Sequence, residues 1–363
     1  MRIVGISSAA LAVCLALWSC SAGAEQNRPA AATTPATPQQ ETASKPKEQR
    51  AAVDPQKFAL IVAGAGGEES FTKKFTSQAM QLYDAVTTRL GFDEKHVFLL
   101  TENVSGGPEE GSRANFAKAT AEEVKKAFGS IKSAVTADSL VLIILIGHGS
   151  FDNQQGKFNL VGPDIAAKDY AALVGTLPAK RVVFINCSSS SGEFVKPLSS
   201  EGHIVITATR SGSEQNATIF AEQFVQALTD VDADADKNGR VSVLEAFNYA
   251  TKRTADWYKQ KDRLATEHAL LDDNGDGVGH EEPSAGDGAL AKTTYLDSKP
   301  IEQAGADAEL ARLLGERQKM EEGIEKLKAR KGEMKQDDYE AELERLLVEL
   351  AKVNQSIKAR QKQ

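Results

Sequence analysis

Cysteine is nearly absent from this chain: among 363 residues the only three are Cys14, Cys20 and Cys187. The first two fall in a segment that reads as a processed leader, so no disulfide framework can hold the fold together. An excess of basic charge is also lacking. Lys and Arg number 43 against 51 Asp and Glu, a formal net charge of −8. Nucleic-acid phosphates call for a basic footprint, which argues against nucleic acid as the main partner. The apolar run Ile3 to Trp18 is too short to span comfortably as a permanent helix. What is present is 41% hydrophobic and 26% charged residues, enough for a sizeable core. That excludes a wholly disordered chain and a multispan membrane protein.

The N-terminus points to export. Arg2 is a minimal positive n-region ahead of the apolar run. Two processing signals overlap after it. Leu17-Trp18-Ser19-Cys20 resembles a bacterial lipobox, with Cys20 lipidated as the first mature residue; Ala22-Gly23-Ala24 is an A-x-A site with cleavage after Ala24. The expected location is the periplasm or outer membrane as a lipoprotein, or else the secreted pool. Residues 25–53, with Pro29, Pro35, Pro38 and Pro46 among Ala, Thr, Gln and Lys, read as a tether that cannot build a core.

From Phe58 the texture becomes alternating strands and helices. Phe58–Ala63, His96–Leu100, Leu140–Ile146, Arg181–Ile185 and Ile204–Thr207 are strand candidates. Leu140–Ile146 is apolar at every position, as a parallel strand buried on both faces should be. Helical spacing fills Phe71–Leu90, and Thr120-Ala-Glu-Glu123 is a capping-box start. The expected fold is α/β: an open, mainly parallel sheet with helices on both faces. In such sheets ligands and chemistry gather beyond the carboxyl ends of the strands.

Two of those ends carry reactive side chains. One strand runs into Gly147-His148-Gly149, the other into Asn186-Cys187-Ser188-Ser189-Ser190-Ser191-Gly192. Their separation leaves room for one βα crossover to an adjacent parallel strand, which brings His148 and Cys187 to one rim. A thiolate nucleophile with a neighbouring imidazole can carry acyl transfer. The amides of Gly149 and Cys187 are then natural donors to a developing oxyanion. The bland alternatives stand beside this: a small buried hydrophobe at Cys187, and a simple turn at His-Gly.

These residues resemble the caspase/legumain clan of cysteine peptidases, most closely its legumain-like family. The likeness covers residues 56–230, including Phe58–Gly64 and Ile204–Arg210. It implies a caspase-like sheet and a His148–Cys187 dyad cleaving a peptide or protein substrate. There are departures: Ile185 stands where many members place an acidic or amide residue, and Gly192 lies farther from the cysteine than usual. The leading expectation is an exported cysteine endopeptidase. The rivals are a catalytically inactive, lipid-tethered interaction module and a transpeptidase using the same acyl-enzyme.

A second signal is calcium. The run from Asp234 fits an EF-hand loop, with oxygen ligands from Asp234, Asp236, Asn238, Ser242 and Glu245, and Arg240 contributing its backbone carbonyl. A second loop offers Asp272, Asn274 and Asp276, but Pro283 replaces the closing glutamate. A structural Ca²⁺ is expected in the first loop; the second reads equally as a calcium site, with Glu281 or Glu282 in place of the glutamate, and as a plain Asp/Gly turn. The catalytic-type domain is thus drawn at 54–297. Residues 298–363 carry apolar residues at 3–4 spacing from Leu310 to Met334 and from Tyr339 to Ile357. They read as a helical hairpin or coiled coil, and as a possible partner-binding element.

Overall fold

The structure is a computed structural model and describes residues 50–103, 115–229, 231–283, 286–305 and 307–361. The leader, the lipobox at Cys20 and most of the expected tether therefore lie outside the described residues. No helix among those described is long and apolar enough to cross a membrane.

The chain runs β1 (Lys57–Ala63), α1 (Glu69–Thr88), β2 (Val97–Thr101), β3 (Phe116–Lys118), α2 (Ala121–Ala134) and β4 (Leu140–Ile146). A small hairpin region follows as β5 (Gly149–Phe151), β6 (Gly156–Phe158) and β7 (Ile165–Ala166), then α3 (Ala167–Val174), β8 (Arg181–Asn186), α4 (Val195–Leu198) and β9 (His203–Thr207). The remainder is α5 (Phe220–Ala227), α6 (Val243–Gln260), β10 (Leu270–Asp272), α7 (Ala289–Thr293), α8 (Lys299–Ala304), α9 (Ala308–Ala329) and α10 (Gln336–Arg360).

Seven strands form one sheet in the order β10-β9-β8-β4-β1-β2-β3, parallel except for β10. The five strands expected from the sequence are all present. Both faces of the sheet are covered, which explains the unbroken apolar run in β4. Alternate residues Leu142, Ile144 and Ile146 enter one core with α1, α5 and α6, while Val141, Ile143 and Leu145 enter the other with α2 and α3. Thr120 caps α2 by accepting from the Glu123 amide at 3.3 Å.

The chain winds outward from β1 to β2 and β3, then returns to β4 on the other side of β1. A crevice therefore opens between the carboxyl ends of β1 and β4, the place where open α/β sheets receive ligands. The domain also begins earlier than the expected tether boundary, because the Ala51 amide donates to Thr88 O at 2.8 Å.

The C-terminal helices form the expected hairpin. Arg360 at the end of α10 reaches Asp307 at the start of α9 at 2.6 Å, so the two run antiparallel. Leu310, Leu313, Leu314, Val353 and Ile357 are buried between them. The hairpin is seated at the amino end of the sheet, where Arg181 at the start of β8 meets Glu322 of α9 at 3.1 Å.

Candidate functional site

β4 ends at Ile146, and Gly147 turns the chain so that His148 lies at the β1–β4 crevice. Its ring stands edge-on to Phe71 and Phe75 of α1, with centroids 4.7 and 5.0 Å away. Burial lowers its pKa, opposed by a backbone hydrogen bond with Gly66 and the charge of Glu68. The imidazole is therefore neutral at pH 7 and half-buried. Close approach of backbone shapes this floor: a Cβ on Gly64 would lie 2.3 Å from Asn159 O. Nearby, Glu102 accepts from the Gly66 amide at 2.9 Å and from Thr72 Oγ1 at 2.6 Å, which pins the loop after β1 and lowers the Glu102 pKa.

Cys187 has a different setting. It is 1% exposed and belongs to the apolar core together with Ile185, Ala208 and Phe220. Burial, with a smaller push from the Glu267 carboxylate, drives the thiol pKa well above its ordinary value. A thiol held this way forms little thiolate, and no approach from solvent reaches it. Its backbone is also committed: the amide donates to Leu145 O at 2.8 Å, and its carbonyl accepts from Thr218 Oγ1 at 2.5 Å.

Both amides expected as oxyanion donors have hydrogen-bond partners within the chain. The Cys187 amide is part of the sheet ladder, because hydrogen bonding between β8 and β4 continues one residue beyond β8. The Gly149 amide donates to Ser189 Oγ at 3.1 Å, and Ser189 Oγ donates back to Gly149 O at 3.0 Å. Neither amide points unpaired into the crevice.

Sequence reading overlooked Ser189. The β4–β8 register ends at Leu145 and Asn186, and beyond it Ser189 meets Gly149, the residue after His148, through two hydrogen bonds. A register count from the two strand ends could have found it. The whole serine run is a hydrogen-bonded knot, with all four residues almost completely buried. Ser188 Oγ donates to Asn186 Oδ1 at 2.7 Å, Ser190 Oγ to Gly212 O at 3.0 Å, and Ser191 Oγ lies 3.1 Å from Thr209 Oγ1. Gly192 is required here, since a Cβ would sit 2.3 Å from the Arg210 backbone. Arg210 and Glu214 form a 3.3 Å ion pair at the rim, and His268 Nδ1 is 2.5 Å from Glu214 Oε1.

The first acidic loop has the gathered donors that a hard cation takes. One carboxylate oxygen each from Asp234, Asp236 and Glu245 lie within 4.8 Å of one another. Asp234 accepts from the amides of Asn238 and Gly239, and Gly239 takes φ 84°, the left-handed turn at loop position six. Ser242 and Glu245 form a capping box at the start of α6. The Arg240 side chain turns outward to Asp297 at 3.0 Å and lies over the Tyr295 ring. An all-oxygen set of this kind suits Ca²⁺ and not a redox or thiolate-preferring metal.

The second loop is arranged otherwise. Asp272 is 1% exposed at the end of β10, and its carboxylate accepts from the Gly275 and Gly277 amides at 3.2 and 3.1 Å. Burial raises its pKa, with Asp287 and Asp276 adding like-charge repulsion. Asn274 and Asp276 bond to each other at 3.2 Å. Glu281 lies 3.5 Å from Arg210. Asp272, Asn274 and Asp276 thus satisfy their own loop backbone, and the structure brings no carboxylate to them from position 12.

No protein-family model matches this chain, and no curated protein matches it. Among solved structures it is similar to the crystal structure of protein GSU0716 from Geobacter sulfurreducens, at 14% identity over 60% of this chain and 92% of that one, with a TM-score of 0.39. A likeness of that size carries no functional argument.

Proposed function

We propose that this chain is an exported, calcium-stabilised binding module on a caspase/legumain-like sheet, receiving a peptide or protein segment at the His148 crevice without thiol chemistry. The observation that carries this reading is the 1% exposure of Cys187 inside the apolar core. A nucleophile must meet the carbonyl it attacks, and this thiol lies in the apolar core that also holds Ile185, Ala208 and Phe220. The crevice keeps the features of a receiving site: a neutral imidazole and a glycine-lined floor. Export rests on the lipobox and A-x-A residues of the leader.

The test compares wild type and Cys187→Ala on one peptide library, with alkylation of the native and denatured chain. The expected result is equal, background-level cleavage, retained peptide capture, and a thiol that iodoacetamide modifies only after denaturation. Cleavage by wild type that vanishes in Cys187→Ala would overturn it.

A second reading is favoured by His148 alone. As a cysteine endopeptidase, Cys187 Sγ would bond to the scissile carbonyl carbon, the C–N bond would break, and His148 would protonate the leaving amine. A transpeptidase would pass the same acyl group to an added amine. Both need the end of β8 to open and release Cys187, and the same variant pair decides between them and the binding module.

Calcium enters as a structural ion held by Asp234, Asp236, Asn238, Ser242, Glu245 and the Arg240 carbonyl. It would supply charge neutralisation to crowded carboxylates and no reaction step. A second ion at Asp272, Asn274 and Asp276 is not part of this proposal.

A further inference from the structure

Helix α10 is apolar over a wider arc than α9 covers. Tyr339, Val353 and Ile357 are buried on its α9 side. Leu347 and Val348 stand on another side at 48% and 46% exposure, two of the five large hydrophobic residues exposed among the described residues. With Leu343 and Ala351 they line an open apolar groove bordered by Glu340 and Glu344. Isolated exposed hydrophobic residues are unremarkable, but an apolar stripe along a 25-residue helix is a surface built for another helix.

The charges around the stripe identify the occupant. The first half of α10 is acidic, with Asp337, Asp338, Glu340, Glu342 and Glu344, and its last turns carry Lys352, Lys358 and Arg360. At 3.6 residues per turn, 337, 340, 344, 347, 348, 351, 355 and 358 fall on one face. We propose that two copies of this chain pair through α10, antiparallel, about a two-fold axis between Leu347 and Val348. That axis sets Leu347 against the second copy's residue 348, Glu344 against its 351, Glu340 against its 355 and Asp337 against its 358. Each acidic end then meets a basic or neutral one, and the helix dipoles oppose. A parallel pairing would stack Asp337 on Asp337 and Glu344 on Glu344. Among the described residues neither Asp337 nor Lys358 has an ion-pair partner within its own chain. The contact is isologous, so it closes as a dimer and does not extend into fibres.

Sedimentation equilibrium of the full chain tests this, with circular dichroism melting as the folding control. Wild type should form a reversible dimer. Leu347→Glu with Val348→Glu should weaken it by about tenfold or more without lowering the melting temperature, because both positions are exposed in the protomer. Asp337→Lys or Lys358→Asp alone should weaken it by a few fold, since each creates like-charge contacts. Together they should restore it, because exchange of the two charges preserves every antiparallel pair. A chain that stays monomeric at about 100 µM overturns the proposal. So does a dimer indifferent to the two glutamates, or a double charge reversal that fails to recover association.

Discussion

The two ends of the parallel sheet are built on opposite principles. At the carboxyl end, backbone and hydroxyl groups dominate: the glycine loop after β1, His148 between two phenylalanines, and the serine knot after β8. At the amino end, charge dominates. Lys57 is 4% exposed, and its ammonium lies within 3.1 Å of the carbonyls of Leu90, Leu296 and Asp297 and of Ser298 Oγ. Arg181 pairs with Glu322, and Arg240 pairs with Asp297. The chain thus clamps the 294–298 segment and α9 onto the strand starts, and a cavity of about 490 Å³ lined by Lys57, Arg181, Arg240, Tyr295 and Glu322 remains between them. The carboxyl end is the switch point between β1 and β4, and its ion pair Arg210–Glu214 lies beyond β9.

That contrast is easiest to break at Lys57. Replacing it with Met removes the ammonium donor from the Leu296 and Asp297 carbonyls and leaves Leu90 O only the Ser298 hydroxyl. We expect a loss of about 4 kcal/mol in urea unfolding, with ligand capture at the carboxyl end unchanged once folded. Equal loss at both ends, with capture abolished in folded protein, would show that the ends are not independent.

Next in size is calcium, which acts through the Asp234–Glu245 loop. A hundredfold excess over the dissociation constant should add about 3 kcal/mol of stability. Glu245→Gln should remove most of that increment, and Asp276→Asn in the second loop should leave it intact. A melting temperature indifferent to calcium and chelator would remove the ion from this description.

A smaller effect is expected at Cys187. Cys187→Ala should cost about 1 kcal/mol through lost packing, while peptide capture is retained. Loss of capture at unchanged stability would move the thiol from core to site.

The smallest effect concerns His148. Its native pKa lies below the ordinary value of 6.5, so the unfolded chain takes up the proton first. Its contribution is complete above pH 6.5 and is lost as pH falls from there through the lower native value. His148→Gln should therefore reduce the fall in melting temperature between pH 7 and pH 5, by about 1 °C. An unchanged pH profile would show that burial does not govern this ring.

Legibility followed the strength of the local pattern. β4 was readable because every residue from Leu140 to Ile146 is apolar, and α2 because Thr120 and Glu123 sit three apart at its start. β3, β5, β6, β7 and β10 are two or three residues long, too short to show a period, and they exist because neighbouring strands offer unpaired edges. Lys57 reads as a strand-edge polar residue. Its burial depends on residues 90 and 296–298, far along the chain.

The sequence by itself determined the order of strands and helices, the placement of His148 and Cys187 at strand ends, and the twelve-residue ligand pattern from Asp234. Those are local properties, written in composition, period and spacing. Only the tertiary structure decided that Ser189 meets Gly149 beside His148, and that the Cys187 side chain is sealed in the core. A strand end looks the same in sequence whether its side chain faces solvent or core. Which it faces depends on the helices packed against the sheet, such as α5 with Phe220 in the core that holds Cys187.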